Sequence, residues 1–255
     1  MPAFLITYDH YLLAAIALFG TLGAAALLLW LAHYSRFASL IRGYRGLSPP
    51  FVNVIGVLFA LTLAFLANDT WNAHDRAVSA VYHEAGGLRS ILALATALPV
   101  AQRHLVDDTV KAYASSAAET EWPMLAHRQS SETTTLAMAS LLEVLSRPEM
   151  ALSLAQATHS EMLQQAIAVR DAREQRISLS QTHVNPLKWL GMAFLGLLTM
   201  ISIAMVYVDQ PKAEILAIAL FAAAAAPTAA IVLIQGNPFQ PPSAMSAAPL
   251  KALYQ

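Results

Sequence analysis

Four stretches of this 255-residue chain run without a single charged side chain for about the thickness of a bilayer core, and that pattern leaves few folds open. The first covers residues 11–32; at about 1.5 Å per helical residue it reaches roughly 33 Å. The others cover 51–68, 189–208 and 215–236. Prolines precede the last three, at Pro49-Pro50, Pro186 and Pro211, where a missing N–H costs nothing in the first turn of a helix. The first stretch is too long for the core of a signal peptide and has no basic segment before it, so it is expected to remain as a transmembrane helix. Composition agrees with a membrane protein: 57% hydrophobic, 12% charged, mean hydropathy +0.51.

The charge is segregated. Of 31 Asp, Glu, Lys and Arg residues, 23 lie between Asp69 and Lys188. That segment carries apolar residues at helical spacing, Val106, Val110, Tyr113 and Ala117, then Met138, Leu141, Leu142 and Leu145, and no alternating strand pattern. Pro99, Pro123 and Pro148 predict helical pieces over 69–97, 100–122, 133–147 and 149–183. No proline separates Pro50 from Pro99, so the second span is expected to continue out of the membrane, with Gly86-Gly87 as a place to kink. The fold class is therefore all-α: spans one and two over 11–68, a helical extramembrane domain over 69–185, and spans three and four over 186–236. The proline-rich segment 237–255 is read as a disordered tail.

Several functions are excluded or disfavoured. A net charge of −1 and no basic stretch give no electrostatic reason to bind nucleic acid. The absence of cysteine removes disulfides, thiolate metal sites and thiol nucleophiles. No phosphate loop, nucleophile elbow or paired-His zinc motif is present, and Ser115-Ser116 and Ser130-Ser131 have no signalled base, so no enzyme and no cofactor are expected. His104 with Asp107 and Asp108 gives a pair of ligands on one helix face but no third, so no metal site is assigned.

The second span rewards a helical wheel. With Asn53 at zero and about 100° per residue, Ala60, Ala64, Val57 and Asn68 fall within about 60°, and Trp71 and Asp75 continue the same face. Phe51, Ile55, Phe59, Leu63 and Phe65 lie elsewhere, and Phe59 is expected to face lipid. Polar groups against lipid are costly unless satisfied, so the Asn53 face should look at protein or water. Two readings share it: close helix packing through small residues, and the lining of a pore. Gly20, Gly23 and Ala24 of the first span and the alanines before Pro227 of the fourth also suit packing. Thr228 is a candidate partner for the carbonyl that Pro227 frees.

The segments Trp71-Asn72-Ala73-His74-Asp75-Arg76-Ala77, His83-Glu84-Ala85, Tyr113, Glu121-Trp122-Pro123 and Arg170-Asp171-Ala172-Arg173-Glu174-Gln175-Arg176, ahead of Pro186-Leu187-Lys188-Trp189, together resemble a bacterial family, the bestrophin-like domain proteins, over about residues 51–208. The resemblance implies an oligomeric protein of the bacterial inner membrane. Bestrophins are pentameric anion channels whose second helix lines the pore, so a homo-oligomer, pentameric by analogy, with a passive ion pathway along helix two is implied here. The alternative is a non-conducting membrane scaffold or sensor whose helical domain binds a protein or ligand. The chain departs from bestrophins in having no evident acidic calcium clasp near its C-terminus, so calcium gating is not implied.

Two further expectations concern charge. Arg173 or Arg176 is expected to clamp an acidic residue such as Glu84 or Asp75 on the helix leaving the second span, the competing reading being a solvated face with local ion pairs such as Arg170–Glu174. For orientation, no Lys or Arg precedes the first span, whereas Arg36, Arg42 and Arg45 follow it. Such asymmetry keeps the basic loop in the cytoplasm and puts the helical domain outside it, although the bestrophin resemblance implies the opposite side.

Overall fold

The computed structural model describes residues 9–34, 49–181, 185–207, 209–242 and 244–255. All regular elements among them are helical: α1 (Asp9–Tyr34), α2 (Pro49–Ala95), α3 (Val100–Ser115), a π-helical turn (Ser116–Glu121), α4 (Trp122–Ala126), α5 (Glu132–Leu145), α6 (Pro148–Ser153), α7 (Gln156–Ser180), α8 (Pro186–Val206), α9 (Pro211–Ile234) and α10 (Ala248–Lys251). The described residues hold four helices long and apolar enough to cross a membrane, in α1, α2, α8 and α9. The chain forms two compact units, Met1–Trp71 with His183–Gly236, and Asn72–Thr182 with Asn237–Gln255. Helix α2 contributes to both; its 47 residues span roughly 70 Å at about 1.5 Å per residue. Gly86-Gly87 leave its helical hydrogen bonding unbroken.

In the first unit, alanines decide the packing. Ala14, Ala25 and Ala32 of α1 are buried, as are Ala222, Ala225, Ala226, Ala229 and Ala230 of α9. Small side chains let two backbones approach closely where hydrocarbon is the surrounding solvent. The glycines of α1 behave differently from expectation: a Cβ added at Gly20 or Gly23 would meet no atom within 4 Å, so neither is at a close contact. Gly196 of α8 is at a close contact, a Cβ there lying 3.2 Å from the Phe59 ring, and Gly236 at a closer one, 2.5 Å from the His10 ring. Phe59 itself packs on Phe221 with ring centroids 5.3 Å apart and is 8% exposed. The expectation that it faces lipid is thus corrected: α8 and α9 offer a small residue and an aromatic ring on that side. Pro227 frees the carbonyl of Ala223, four residues back, yet the Thr228 hydroxyl donates to Ala224, at 2.7 Å. Asn185 caps α8 by accepting from the N–H groups of Leu187 and Lys188. The Lys188 ammonium bonds Asp69 at 2.7 Å, and the Trp71 indole donates to Gln235 at 3.0 Å.

The second unit has a core of α2, α3, α5 and α7. Val106, Val110, Tyr113, Ala117, Met138, Leu141 and Leu145 are buried, and Leu142 is partly so; these are the positions picked out by helical spacing. Gly87 admits α7: a Cβ there would lie 2.6 Å from Val169 Cγ2 and 3.3 Å from the Gln165 carbonyl. Two boundaries differ from expectation. Pro123 does not end a helix: the helical run continues through it to Ala126, directly after the π-helical turn. The single piece expected over 149–183 is divided at Leu154, whose backbone is extended (φ −119°, ψ 154°) and which packs on the core, with no proline or glycine to announce the break.

The segment expected to be a disordered tail also differs. Phe239 and Leu250 are buried, Phe239 meets the Trp122 ring edge-on at 5.5 Å, the Trp122 indole donates to the Met245 carbonyl at 3.3 Å, and the Gln240 amide donates to the Ala126 carbonyl at 2.6 Å. A segment with no periodicity of its own is ordered here by the surface it covers, a tertiary effect that local patterning does not carry.

Candidate functional site

The five residues of the second-span face, Asn53, Val57, Ala60, Ala64 and Asn68, are all exposed in the single chain. The other side of the same helix is used up: Phe59, Leu66 and Ala67 are buried, with Leu63 packed beside them. On the wheel Phe59 lies about 120° from Asn53, so packing within the bundle and the polar stripe occupy different sides of α2. Leu61 and Phe65, next to the stripe, are at least half exposed and bulky. Ala60 and Ala64 also border a cleft of about 440 Å³ between α2 and α9, walled by Ala224, Ala225 and Thr228. The stripe is therefore a surface of two amides and three small side chains, without charge and left exposed by the described residues of the unit.

A second cluster lies in the core of the other unit. Arg176 of α7 donates from Nε to Glu84 Oε2 at 2.8 Å and from Nη2 to Glu84 Oε1 at 3.0 Å. The same Nη2 reaches Glu121 Oε2 at 2.9 Å. Arg173, one turn earlier, grips Glu121 with Nε and Nη2 and donates to the Thr135 hydroxyl at 2.9 Å. Ser131, the N-cap of α5, donates its backbone N–H to Glu121 at 3.1 Å. Tyr113 donates to Glu84 Oε1 at 2.6 Å. Two carboxylates face two guanidiniums, and none of the four side chains is more than 7% exposed. Of the two arginines offered for Glu84, Arg176 reaches it and Arg173 goes to Glu121. Asp75, the other acidic candidate, is exposed.

Electrostatics follow from this enclosure. Burial works against the Arg176 charge, but Glu84, Tyr113 and Glu121 outweigh it and hold the guanidinium above its ordinary value. Burial, then the Glu84 charge and hydrogen bond, push the Tyr113 phenol well above its usual range, so it stays a donor. The Arg176 guanidinium also lies 5.5 Å from the Trp122 ring centroid.

Glu121 is the member that residue-by-residue reading missed. Eight residues on from Tyr113, it would lie about 80° round a regular α-helix. The π-helical turn Ser116–Glu121 absorbs one residue and returns it to within about 20° of the buried face. The Glu-Trp-Pro triplet was the only signal, and it marked the place without the role. The remaining candidates stay apart: Arg170 pairs with Asp171 and Glu174 in solvent, and His104 and Asp108 are exposed. Among the described residues no group of three metal-ligating side chains comes together.

A model of the Bestrophin-like domain family matches residues 19–250. No curated protein matches the chain. Among solved structures, a point variant of a bacterial bestrophin homologue from Klebsiella pneumoniae superposes with a TM-score of 0.67 at 15% identity, covering 93% of this chain and 96% of that one. A second variant of that homologue gives 0.65 at 12%, covering 94% and 96%. The zinc-phased structure gives 0.63 at 13%, covering 94% and 95%. At such identities the likeness concerns the fold alone, whereas the family model spans most of the chain, from within α1 through α2, α8 and α9, and the residues of both clusters. This chain belongs to the Bestrophin-like domain family.

Proposed function

We propose that copies of this membrane protein assemble around an axis faced by Asn53, Val57, Ala60, Ala64 and Asn68, and that a passive ion pathway runs along that axis. One observation carries the reading: this face is uncovered in a chain whose α2 packs into its own bundle through the other side. Amides turned to lipid would go unsatisfied, so such a face meets water or protein. Small side chains at about one-turn spacing let a neighbouring helix come close, and two amides line a pathway with dipoles and no fixed charge. An uncharged stripe does not select a sign of ion, so the preference for anions and the count of five copies rest on the bestrophin resemblance. The inner membrane of a bacterium is the proposed site. The basic residues that follow the first span support a helical domain outside the cytoplasm, against the side implied by the bestrophin resemblance.

The test is current across a planar bilayer containing the purified oligomer, together with class-averaged images of the solubilised particle. Conductance and rotational symmetry about an open axis are expected. An axis plugged by protein or lipid, without current, would overturn the pathway and favour the scaffold or sensor reading.

A further inference from the structure

The first unit contains a second apolar cleft, of about 510 Å³, between α1 and α8. It exists because its walls lack side chains. Gly20 and Ala24 form one wall, Ala193 and Gly196 the other, and Phe59 and Ala229 lie at its base. A Cβ at Gly20 would still meet nothing within 4 Å, so the room is not filled by any of the described residues. The lips are bulky: Ile16 is 57% and Leu190 67% exposed. Water is a poor occupant, since each molecule needs two to four polar partners, and the lining side chains offer only the Thr21 hydroxyl and the Trp189 indole.

We infer that this cleft holds one acyl chain of a membrane lipid, retained as part of each protomer. Its walls belong to helices that cross the membrane, and Gly20 and Gly196 lie near the middle of theirs, so hydrocarbon is the medium at that depth. A void would forfeit dispersion contacts along its whole lining, and a flexible chain fills a slot with small walls and bulky lips. The cleft is based on Phe59, on a different side of α2 from the Asn53 stripe. If that stripe faces the oligomer axis, the cleft opens to the periphery, where lipid rather than another copy lies; this placement rests on the proposed function.

The chain has no cysteine, so Gly20→Cys provides a single thiol for a bimane label inside the cleft and Phe19→Cys one on the exposed side of α1. Each labelled protein is reconstituted into vesicles of phosphatidylcholine brominated on its acyl chains, and then solubilised in unbrominated detergent. Both labels should be quenched in the vesicle. After solubilisation, emission should recover at position 19, while most of the quenching persists at position 20. Recovery at both positions would overturn the inference, as would quenching of the position 20 label by aqueous iodide. Disulfide formation between unlabelled Gly20→Cys copies, without lipid quenching, would assign the cleft to a neighbouring copy instead. Retention is read without conductance. A non-conducting protein that keeps the chain leaves this inference standing, and a conducting one that loses it overturns this inference alone. Mass spectrometry of the unlabelled wild type should show one retained phospholipid per protomer, lost in Gly20→Leu.

Discussion

Arg176 and Glu84, 92 residues apart, form a bidentate ion pair with no solvent exposure on either side chain. Two parallel hydrogen bonds fix both position and orientation. Removing one partner of such a pair leaves a buried charge unanswered, at a cost of about 3–5 kcal/mol, whereas removing both costs less. Glu84→Ala and Arg176→Ala should each destabilise the helical unit by about that amount, and the double variant should lose clearly less than the sum. Arg173→Ala should couple more weakly to Glu84, because its contact is with Glu121. Denaturation of the solubilised protein as a double-mutant cycle measures this. Additive losses for Glu84 and Arg176 would rule out the pair.

Tyr113 makes the same cluster sensitive to alkali. Its folded pKa lies above the ordinary phenol value, so the folded state binds its proton more tightly than the unfolded state does. The stability this contributes is fully present below the unfolded pKa of about 10 and is lost as pH rises towards the folded one. Melting temperature should fall above about pH 10 more steeply in the wild type than in Tyr113→Phe, which will start lower at neutral pH for want of the hydrogen bond to Glu84. Parallel curves would show that Tyr113 does not titrate in this way.

The stripe on α2 is tested by volume. Ala60→Leu and Ala64→Leu add bulk where neighbours approach and should break the oligomer or change its conductance. Phe65→Leu, at an exposed bulky site that flanks the stripe about 120° from Asn53, should leave both nearly unchanged. Size-exclusion light scattering and bilayer currents give the comparison, and equal effects at the two kinds of site would reject the assignment of the face.

Orientation is tested by fusion. Alkaline phosphatase joined after Gln129, in the turn before α5, should be active in intact bacteria if the helical domain lies outside the cytoplasm. An inactive phosphatase with an active cytoplasmic reporter at the same site would put the domain inside and favour the side implied by the bestrophin resemblance.

Membrane character was written in the sequence because bilayer thickness sets a length and lipid forbids charge, and both are local properties of a stretch of chain. The same holds for the buried positions of α3 and α5, where 3.6-residue spacing marks one face before any partner is known. The small, polar side of α2 could be drawn from Asn53 to Asn68 on a wheel for the same reason.

What only the tertiary structure decided were the partners. Phe59 and Phe65 are alike to a wheel that knows only which face is polar; one is buried because Gly196 and Phe221 lie opposite it, and the other is not. Gly20 looks like a packing glycine but borders open space, while Gly87, first read as a kink, is where α7 comes close. Arg173 and Arg176 were interchangeable in sequence, since either could reach an acid from α7. The choice between them depended on Glu121, turned inward by one extra residue in a π-helical turn. The C-terminal segment is ordered by Trp122 and its neighbours rather than by any pattern of its own. Contacts between residues distant in sequence are set by how helices meet, and helix periodicity states only which side of each is available.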